Sequence, residues 1–199
     1  MDAAEHTIVS GGYGIKEKLG ELISFFEQLK EQDLKPKSFT TDGNTAILLA
    51  LRTVWPTVTI QRCLVHIQRQ GLMWCRAKPK RIEGQTLRKL FLTVTDIHDR
   101  ISAEQFREAF FSWDRRYGRK LLAGKTNGWI VSDLIRARSL LEKALPDMFH
   151  FLANTNIPKT TNGLEGYFSR LKAKYRQHRG LGVAYRTDYF KWYLHIVNH

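Results

Sequence analysis

Short strand-like segments alternate with longer segments of helical periodicity through the first 74 residues of the chain. Apolar and β-branched residues predict strands at 7–10, 38–41 and 57–60, and helical spacing predicts helices at 15–29, 46–55 and 65–74. In chains with this pattern, a helix usually connects one strand to a parallel neighbour. The alternation therefore predicts an α/β fold with a mostly parallel sheet, in which the short strand 7–10 is antiparallel or lies at an edge.

The pattern changes after the basic run at 76–81. Helical stripes with basic faces cover 87–97, 103–117 and 129–145, and the next strand-like run is Phe149-His150-Phe151-Leu152. We therefore predict three parts, which are a first part of the core at 1–83, a helical insertion at 84–148, and a last part of the core at 149–199. The last part ends in an amphipathic helix and then an aromatic helix.

The composition combines a large apolar fraction with a strong excess of positive charge. Hydrophobic residues make up 43% of the chain, which excludes an intrinsically disordered protein. The 32 Lys and Arg outnumber the 19 Asp and Glu and give a net charge of +13. Such a balance favours phosphate-bearing partners, because binding them releases condensed counterions, although basic residues also serve solubility alone. The charge therefore indicates nucleic acid as the partner.

The cysteines and the apolar runs bear on the compartment. Two cysteines, Cys63 and Cys75, do not make a disulfide framework, and no segment resembles a secretory signal. The longest uninterrupted apolar run, from Ala46 to Leu51, is too short to span a bilayer. We expect a protein of the reducing cytoplasm with no membrane partner.

Asp42 and Glu165 each stand where an apolar segment meets a polar turn. Asp42 directly follows the predicted strand 38–41, and open α/β sheets bind ligands at the carboxyl ends of their strands. Each acid has a structural alternative, since Asp42 before Gly43 suits a turn or helix N-cap, and Glu165 three residues after Asn162 suits a capping box. As a pair on a cationic chain, the two carboxylates indicate a site for divalent metal ions against phosphate oxygens.

Cys63 and His66 lie three residues apart at the start of a predicted helix. Cys-x-x-His is half of a zinc site, but the spacing does not recur among the other Cys and His residues. A closed zinc site is therefore disfavoured, and a nucleophilic Cys/His pair competes with simple helix packing. The motif alone assigns no chemistry.

Positive charge is concentrated near the carboxyl end of the chain. From 166 to 199 there are seven Lys or Arg against one acidic residue, Asp188. Basic side chains around the amphipathic helix, with two that flank the Cys-x-x-His motif, are candidate contacts to DNA phosphates. These candidates are Arg62, Arg69, Arg170, Lys172, Lys174, Arg176 and Arg179.

Three segments in this order resemble prokaryotic insertion-sequence transposases of the Mutator type. Their second catalytic segment resembles Thr41-Asp42-Gly43, the apolar helix after it, and the run from Gln61 to Arg69, which reads QRCLVHIQR. The segment with their last acidic residue resembles Thr160 to Lys172, TTNGLEGYFSRLK, and a basic sequence that commonly follows is similar to His178-Arg179-Gly180-Leu181. Each motif is weak separately, but their order and separation are specific, and the resemblance spans essentially the whole chain.

The resemblance implies a ribonuclease H-like core, incomplete at its amino terminus, with a helical insertion before the terminal Glu. In such transposases two Asp and one Glu bind Mg²⁺ or Mn²⁺. By this resemblance Asp42 is the second Asp and Glu165 the terminal Glu, both catalytic and both metal ligands, while Cys63 and His66 match a motif near the site. The implied activity is metal-dependent DNA strand cleavage and transfer. The implied partners are transposon ends, target DNA and further copies of the protein, at the nucleoid.

The first Asp of that triad has no counterpart in this sequence. By the resemblance it belongs to a strand that precedes residues 7–10, and Asp2 lacks the apolar flanks of a core strand. We therefore expect the carboxy-terminal part of a transposase, without its amino-terminal DNA-recognition region and with little strand-transfer activity alone. Two alternatives stay open, namely a catalytically inactive DNA-binding remnant and a protein–protein adaptor that associates weakly with DNA.

Overall fold

The structure is a computed structural model that describes residues 1–5, 7–11, 17–123, 128–178 and 180–198. The described chain is mostly helical and contains one two-stranded sheet. It forms two compact units: the first comprises 1–39, 44–59 and 161–199, and the second comprises 40–43 and 60–160. Among the described residues, no helix is both long and apolar enough to cross a bilayer.

The sheet consists of β1, Ser38–Thr41, and β2, Thr59–Arg62. Its strands are parallel, because Thr59 N donates to Lys37 O at 3.3 Å and, four residues further along both strands, Cys63 N donates to Thr41 O at 2.8 Å. The predicted strand 38–41 is confirmed. The strand predicted at 57–60 begins two residues later, because Val58 N donates to Trp55 O at 3.1 Å and so closes a turn before the sheet begins.

Among the described residues, the helices of the first unit are α1, Leu19–Glu31; α2, Thr45–Val54; α8, Asn162–Tyr175; and α9, Val183–Asn198. The helix predicted at 46–55 is confirmed within one residue, and the predicted start of the first helix at Ile15 lies outside the described residues. The ring of Phe26 in α1 lies 5.8 Å from that of Trp55, the residue that follows α2, measured between ring centroids. The ring of Phe39 from β1 lies 5.4 Å from Trp55 and joins the sheet to this cluster.

The strand predicted at 7–10 is wrong, because the described residues 7–11 contain no strand. Ile8 is buried, and it packs with Tyr167 and Leu171 of α8. The apolar character of this segment therefore reflects docking against a helix rather than pairing with another strand. A short apolar run records burial, but it does not specify the element against which it is buried.

The second unit is a helical body. It contains α3, Leu64–Cys75; α4, Ile82–Thr93; α5, Arg100–Trp113; α6, Arg119–Ala123; and α7, Trp129–Ala144, with a π-helical turn at Asp114–Gly118. The predicted helices at 65–74, 87–97, 103–117 and 129–145 are confirmed with shifted ends. Phe91, Phe110 and Met148 are among the fully buried side chains of its core. The status of 84–148 as an insertion stays a prediction.

The strand predicted at Phe149–Leu152 is also wrong. Residues His150–Leu152 form a 3₁₀ turn, in which Leu152 N donates to Phe149 O and Ala153 N donates to His150 O. These local bonds satisfy the backbone groups that a strand would offer to a neighbour. Phe149 is buried and its ring packs edge-on against Phe106, at 6.2 Å between centroids. The apolar run thus closes the helical core.

Burial raises the pKa of the Cys75 thiol, at the end of α3, to about 12, although Arg88 acts in the opposite direction. In the unfolded chain the Cys75 thiol loses its proton near the ordinary pKa of 9.0. The stability that comes from burying the neutral thiol is therefore present below pH 9 and is lost as the pH rises towards 12. We expect the free energy of unfolding, measured by urea titration, to fall between about pH 8 and about pH 10 in the unmodified protein. In Cys75→Ala it should fall less over the same range. Equal losses in both proteins would contradict this.

Candidate functional site

The carboxyl ends of the two parallel strands bring the sequence motifs around Asp42 and Cys63 together. Asp42 is the first residue after β1, and Cys63 is the first residue after β2. Cys63 N donates to Thr41 O at 2.8 Å, so the two chain exits are adjacent. Because the strands are parallel, both exits lie at the same edge of the sheet, where open α/β sheets bind their ligands.

Asp42 lies in a tight turn, and the buried side chain of Arg62 holds the backbone of this turn. Its carboxylate is exposed, and the Thr41 hydroxyl donates to Oδ1 at 3.3 Å. Arg62 Nη2 donates to the backbone oxygen of Asp42 at 3.3 Å, and only 4% of Arg62 is exposed. Gly43 follows with φ of +88°, a conformation that favours glycine. The turn thus presents the carboxylate outwards while a buried guanidinium holds its backbone.

The N-cap alternative for Asp42 is wrong, because Asn44 caps α2. The side chain of Asn44 accepts a hydrogen bond from Ala46 N at 2.9 Å, which satisfies one of the free amide groups at the helix start. The N-cap position of that helix is therefore Asn44 rather than Asp42.

Cys63 and His66 contact each other in the first turn of α3. Cys63 occupies the N-cap position and is fully buried, and Nδ1 of the half-buried His66 lies 3.2 Å from Sγ. Next to them, Leu64 N donates to Lys159 O at 3.0 Å, which joins this turn to the segment after Leu152. Within the described ranges, no group of three His, Cys, Asp or Glu side chains is placed to hold a metal ion.

Glu165 belongs to the first unit and lies in the first turn of α8. The N-cap of α8 is Thr161 and not Asn162, so the predicted capping box on Asn162 is wrong. Glu165 N donates to Thr161 O at 2.9 Å, and the Thr161 hydroxyl donates to Glu165 Oε1 at 3.3 Å. The carboxylate is half-buried and oriented by this hydroxyl. A polar side chain one turn earlier thus helps to position the Glu165 carboxylate.

The predicted DNA contacts differ in exposure. Arg69 on α3 is exposed, and so are the cations of α8 and of the turn that follows it, which are Arg170, Lys172, Lys174 and Arg176. Arg62 is buried against the Asp42 turn, and sequence reasoning missed this supporting role because nothing local to Arg62 signals it. Arg179 lies outside the described residues. The DNA contacts themselves stay predictions.

The candidate site residues lie in a range that matches a known protein family. The family model described as "Transposase, Mutator family" matches residues 7–181 of the chain. This range includes Asp42, Cys63, His66 and Glu165. A search of curated proteins and a search of solved structures each returned no match.

Proposed function

The chain belongs to the Mutator family of transposases, and from this premise we propose that it is the DDE-type catalytic domain of an insertion-sequence element. Asp42 and Glu165 serve as two of its catalytic carboxylates, and no residue of the chain is assigned as the first Asp. The substrates are DNA phosphodiesters at transposon ends and in the target, and the protein self-associates at the nucleoid. The proposal includes a ribonuclease H-like core with residues 84–148 as its helical insertion, to which the parallel order of β1 and β2 is suited.

The exposed carboxylate of Asp42 at the end of β1 is the observation that carries this proposal. The N-cap of α2 is Asn44 rather than Asp42, and the Asp42 carboxylate lies where such sheets bind ligands. Its donor chemistry suits Mg²⁺ or Mn²⁺, which take oxygen ligands, and the Glu165 carboxylate supplies the same chemistry. The Cys63 sulfur is a soft donor that contacts His66, so this pair does not fit Mg²⁺.

The chain's own residues have distinct parts in this proposal. A bound divalent ion supplies activation of the attacking oxygen and stabilisation of the leaving oxygen. Arg62 and Gly43 hold the Asp42 turn, and the Thr161 hydroxyl orients the Glu165 carboxylate. The exposed cations of α8 attract DNA phosphates in a salt-dependent manner.

Divalent-ion binding tests the proposal without requiring a complete reaction. We expect substoichiometric Mn²⁺ to broaden the amide NMR signals of residues 41–43 and of residues 164–166 together. Asp42→Asn and Glu165→Gln are each expected to weaken Mn²⁺ binding by more than about 100-fold, since outer-shell partners of a metal site alone contribute about 10–100-fold. Glu108→Gln, which removes an exposed acid from α5, is the matched control and is expected to have no effect.

Two outcomes would overturn the assignment. Broadening at only one of the two sites would show that Asp42 and Glu165 do not share an ion, and unchanged binding in Asp42→Asn would remove Asp42 from the metal site. Measurements of DNA affinity distinguish a catalytic role from a role in DNA binding alone. Asp42→Asn and Glu165→Gln are both expected to keep or raise the affinity for DNA and to lose any Mg²⁺-dependent nicking. Nicking that persists in both variants contradicts the catalytic role.

A further inference from the structure

A lysine-lined cavity lies where the two strands begin, whereas Asp42 and Cys63 follow their ends. Its volume is about 570 Å³, within the range of small-ligand sites. It is bounded by the end of α1, by the residues that lead into β1, and by the turn between α2 and β2. Three lysines line it beside apolar side chains: Lys30, Lys35 and Lys37 with Leu34, Trp55 and Val58.

The lining is cationic. Lys30 is anchored, since its ammonium donates to Val54 O at 2.9 Å. Lys35 pairs with Asp33, but both side chains are about four-fifths exposed, so the pair contributes little and leaves the lysine available. No carboxylate is among the described residues that line the cavity. A lining with three lysines and no carboxylate favours an anionic ligand.

Trp55 supplies a second and independent observation. Trp55 is 9% exposed, and its ring packs against those of Phe26 and Phe39. Within the described part of the chain, the buried Nε1–H of Trp55 has no hydrogen-bond partner. By contrast, the Nε1–H of Trp113 donates to Glu83 O and to Thr86 Oγ1, each at 3.0 Å. Buried donors are rarely left unsatisfied, because losing hydration without a partner is unfavourable.

We propose that this cavity is a second phosphate site, distinct from the proposed site at Asp42, and that it binds a backbone phosphate of DNA. Lys35 and Lys37 pair with the phosphate oxygens, and Leu34 and Val58 accommodate the apolar part of the adjoining sugar. Trp55 lines the same cavity, and a phosphate oxygen that accepts from its indole N–H would complete the hydrogen bonding of that donor. In a transposase the abundant source of such phosphates is DNA, and inorganic phosphate carries the same chemistry.

The five indole N–H signals of the protein report on this site in NMR spectra. Trp55→Phe, which keeps an aromatic ring without the donor, identifies the Trp55 signal. We expect this signal to move downfield when either inorganic phosphate or a short random-sequence duplex is added, while the Trp113 signal, whose donor is already bonded, stays in place. Asp42→Asn is expected to leave the shift unchanged, so that this site is tested independently of the proposed catalytic carboxylates.

Matched lysine variants measure the contribution to DNA affinity. Lys35→Gln with Lys37→Gln is expected to weaken duplex binding about tenfold and to lower the slope of log K against log salt by about 1 to 2. Lys89→Gln with Lys143→Gln removes two exposed lysines from α4 and α7 and is the control for net charge. Equal weakening in both double variants would overturn the proposal. A Trp55 shift with phosphate but not with the duplex would reject DNA as the ligand.

Discussion

Gly71→Ala is expected to destabilise the helical unit by about 2 kcal/mol, the net of an overpacking cost of about 3 kcal/mol and a gain in helix propensity. Gly71 lies inside α3, and a methyl group at this position would overlap the ring of Phe91 from α4. Phe91 is fully buried, so its ring has no room to move away. The higher helix propensity of Ala offsets only about 1 kcal/mol of this cost.

Urea unfolding followed by circular dichroism measures this effect. Gly20→Ala is the matched control, because a methyl group there meets no atom within 4 Å, and it is expected to be neutral or stabilising by up to about 1 kcal/mol. Phe91→Leu should partly rescue Gly71→Ala, since it removes ring atoms at the point of overlap. A Gly71→Ala protein as stable as the unmodified one would show that α3 and α4 do not approach so closely.

Gly43→Ala is expected to destabilise the protein by about 2–4 kcal/mol and to weaken Mn²⁺ binding at Asp42 about tenfold or more. Two costs combine at this position. The φ of +88° strains any residue with a side chain, and a Cβ would overlap the guanidinium of Arg62. Because Arg62 is buried, it cannot simply swing into solvent, and its movement would release the backbone of Asp42.

A double-mutant cycle separates the two costs of Gly43→Ala. If the overlap dominates, Gly43→Ala destabilises an Arg62→Ala background much less than the unmodified protein, and the two changes are not additive. If backbone strain dominates, the cost is the same in both backgrounds. Mn²⁺ binding that is unchanged in Gly43→Ala and in Arg62→Ala would remove both residues from the support of Asp42.

Local sequence signals located most of the helices and one strand. The helix α2 was predicted within one residue, because Asn44 caps its start and Pro56 follows its end, and both signals act through neighbouring backbone groups. The strands predicted at 7–10 and 149–152 were wrong for a different reason. Each run is apolar because it is buried, against α8 in one case and the helical core in the other. Hydrophobicity does not distinguish these partners from a neighbouring strand.

The candidate site was predictable only in part. The place of Asp42 after a strand followed from the β-branched run before it, and the family resemblance followed from the order of the motifs. The Glu165 prediction assigned the cap to Asn162, one residue from the observed Thr161, because several polar residues in succession can each cap a helix. Arg62 was interpreted as a DNA contact from its charge alone, and its burial assigns it a supporting part at the Asp42 turn.

The residue types and their order along the chain were sufficient to predict the amphipathic helices, the net charge of +13 and the transposase family. They were insufficient to predict contacts between residues that are far apart in the sequence. Arg62 reaches Asp42 across 20 residues, and the cavity beside Trp55 joins three separate segments of the first unit. Such proximities depend on how whole helices and strands pack, and packing is a collective property that no local pattern encodes. The support of Asp42 and the lysine cavity therefore became visible only in three dimensions.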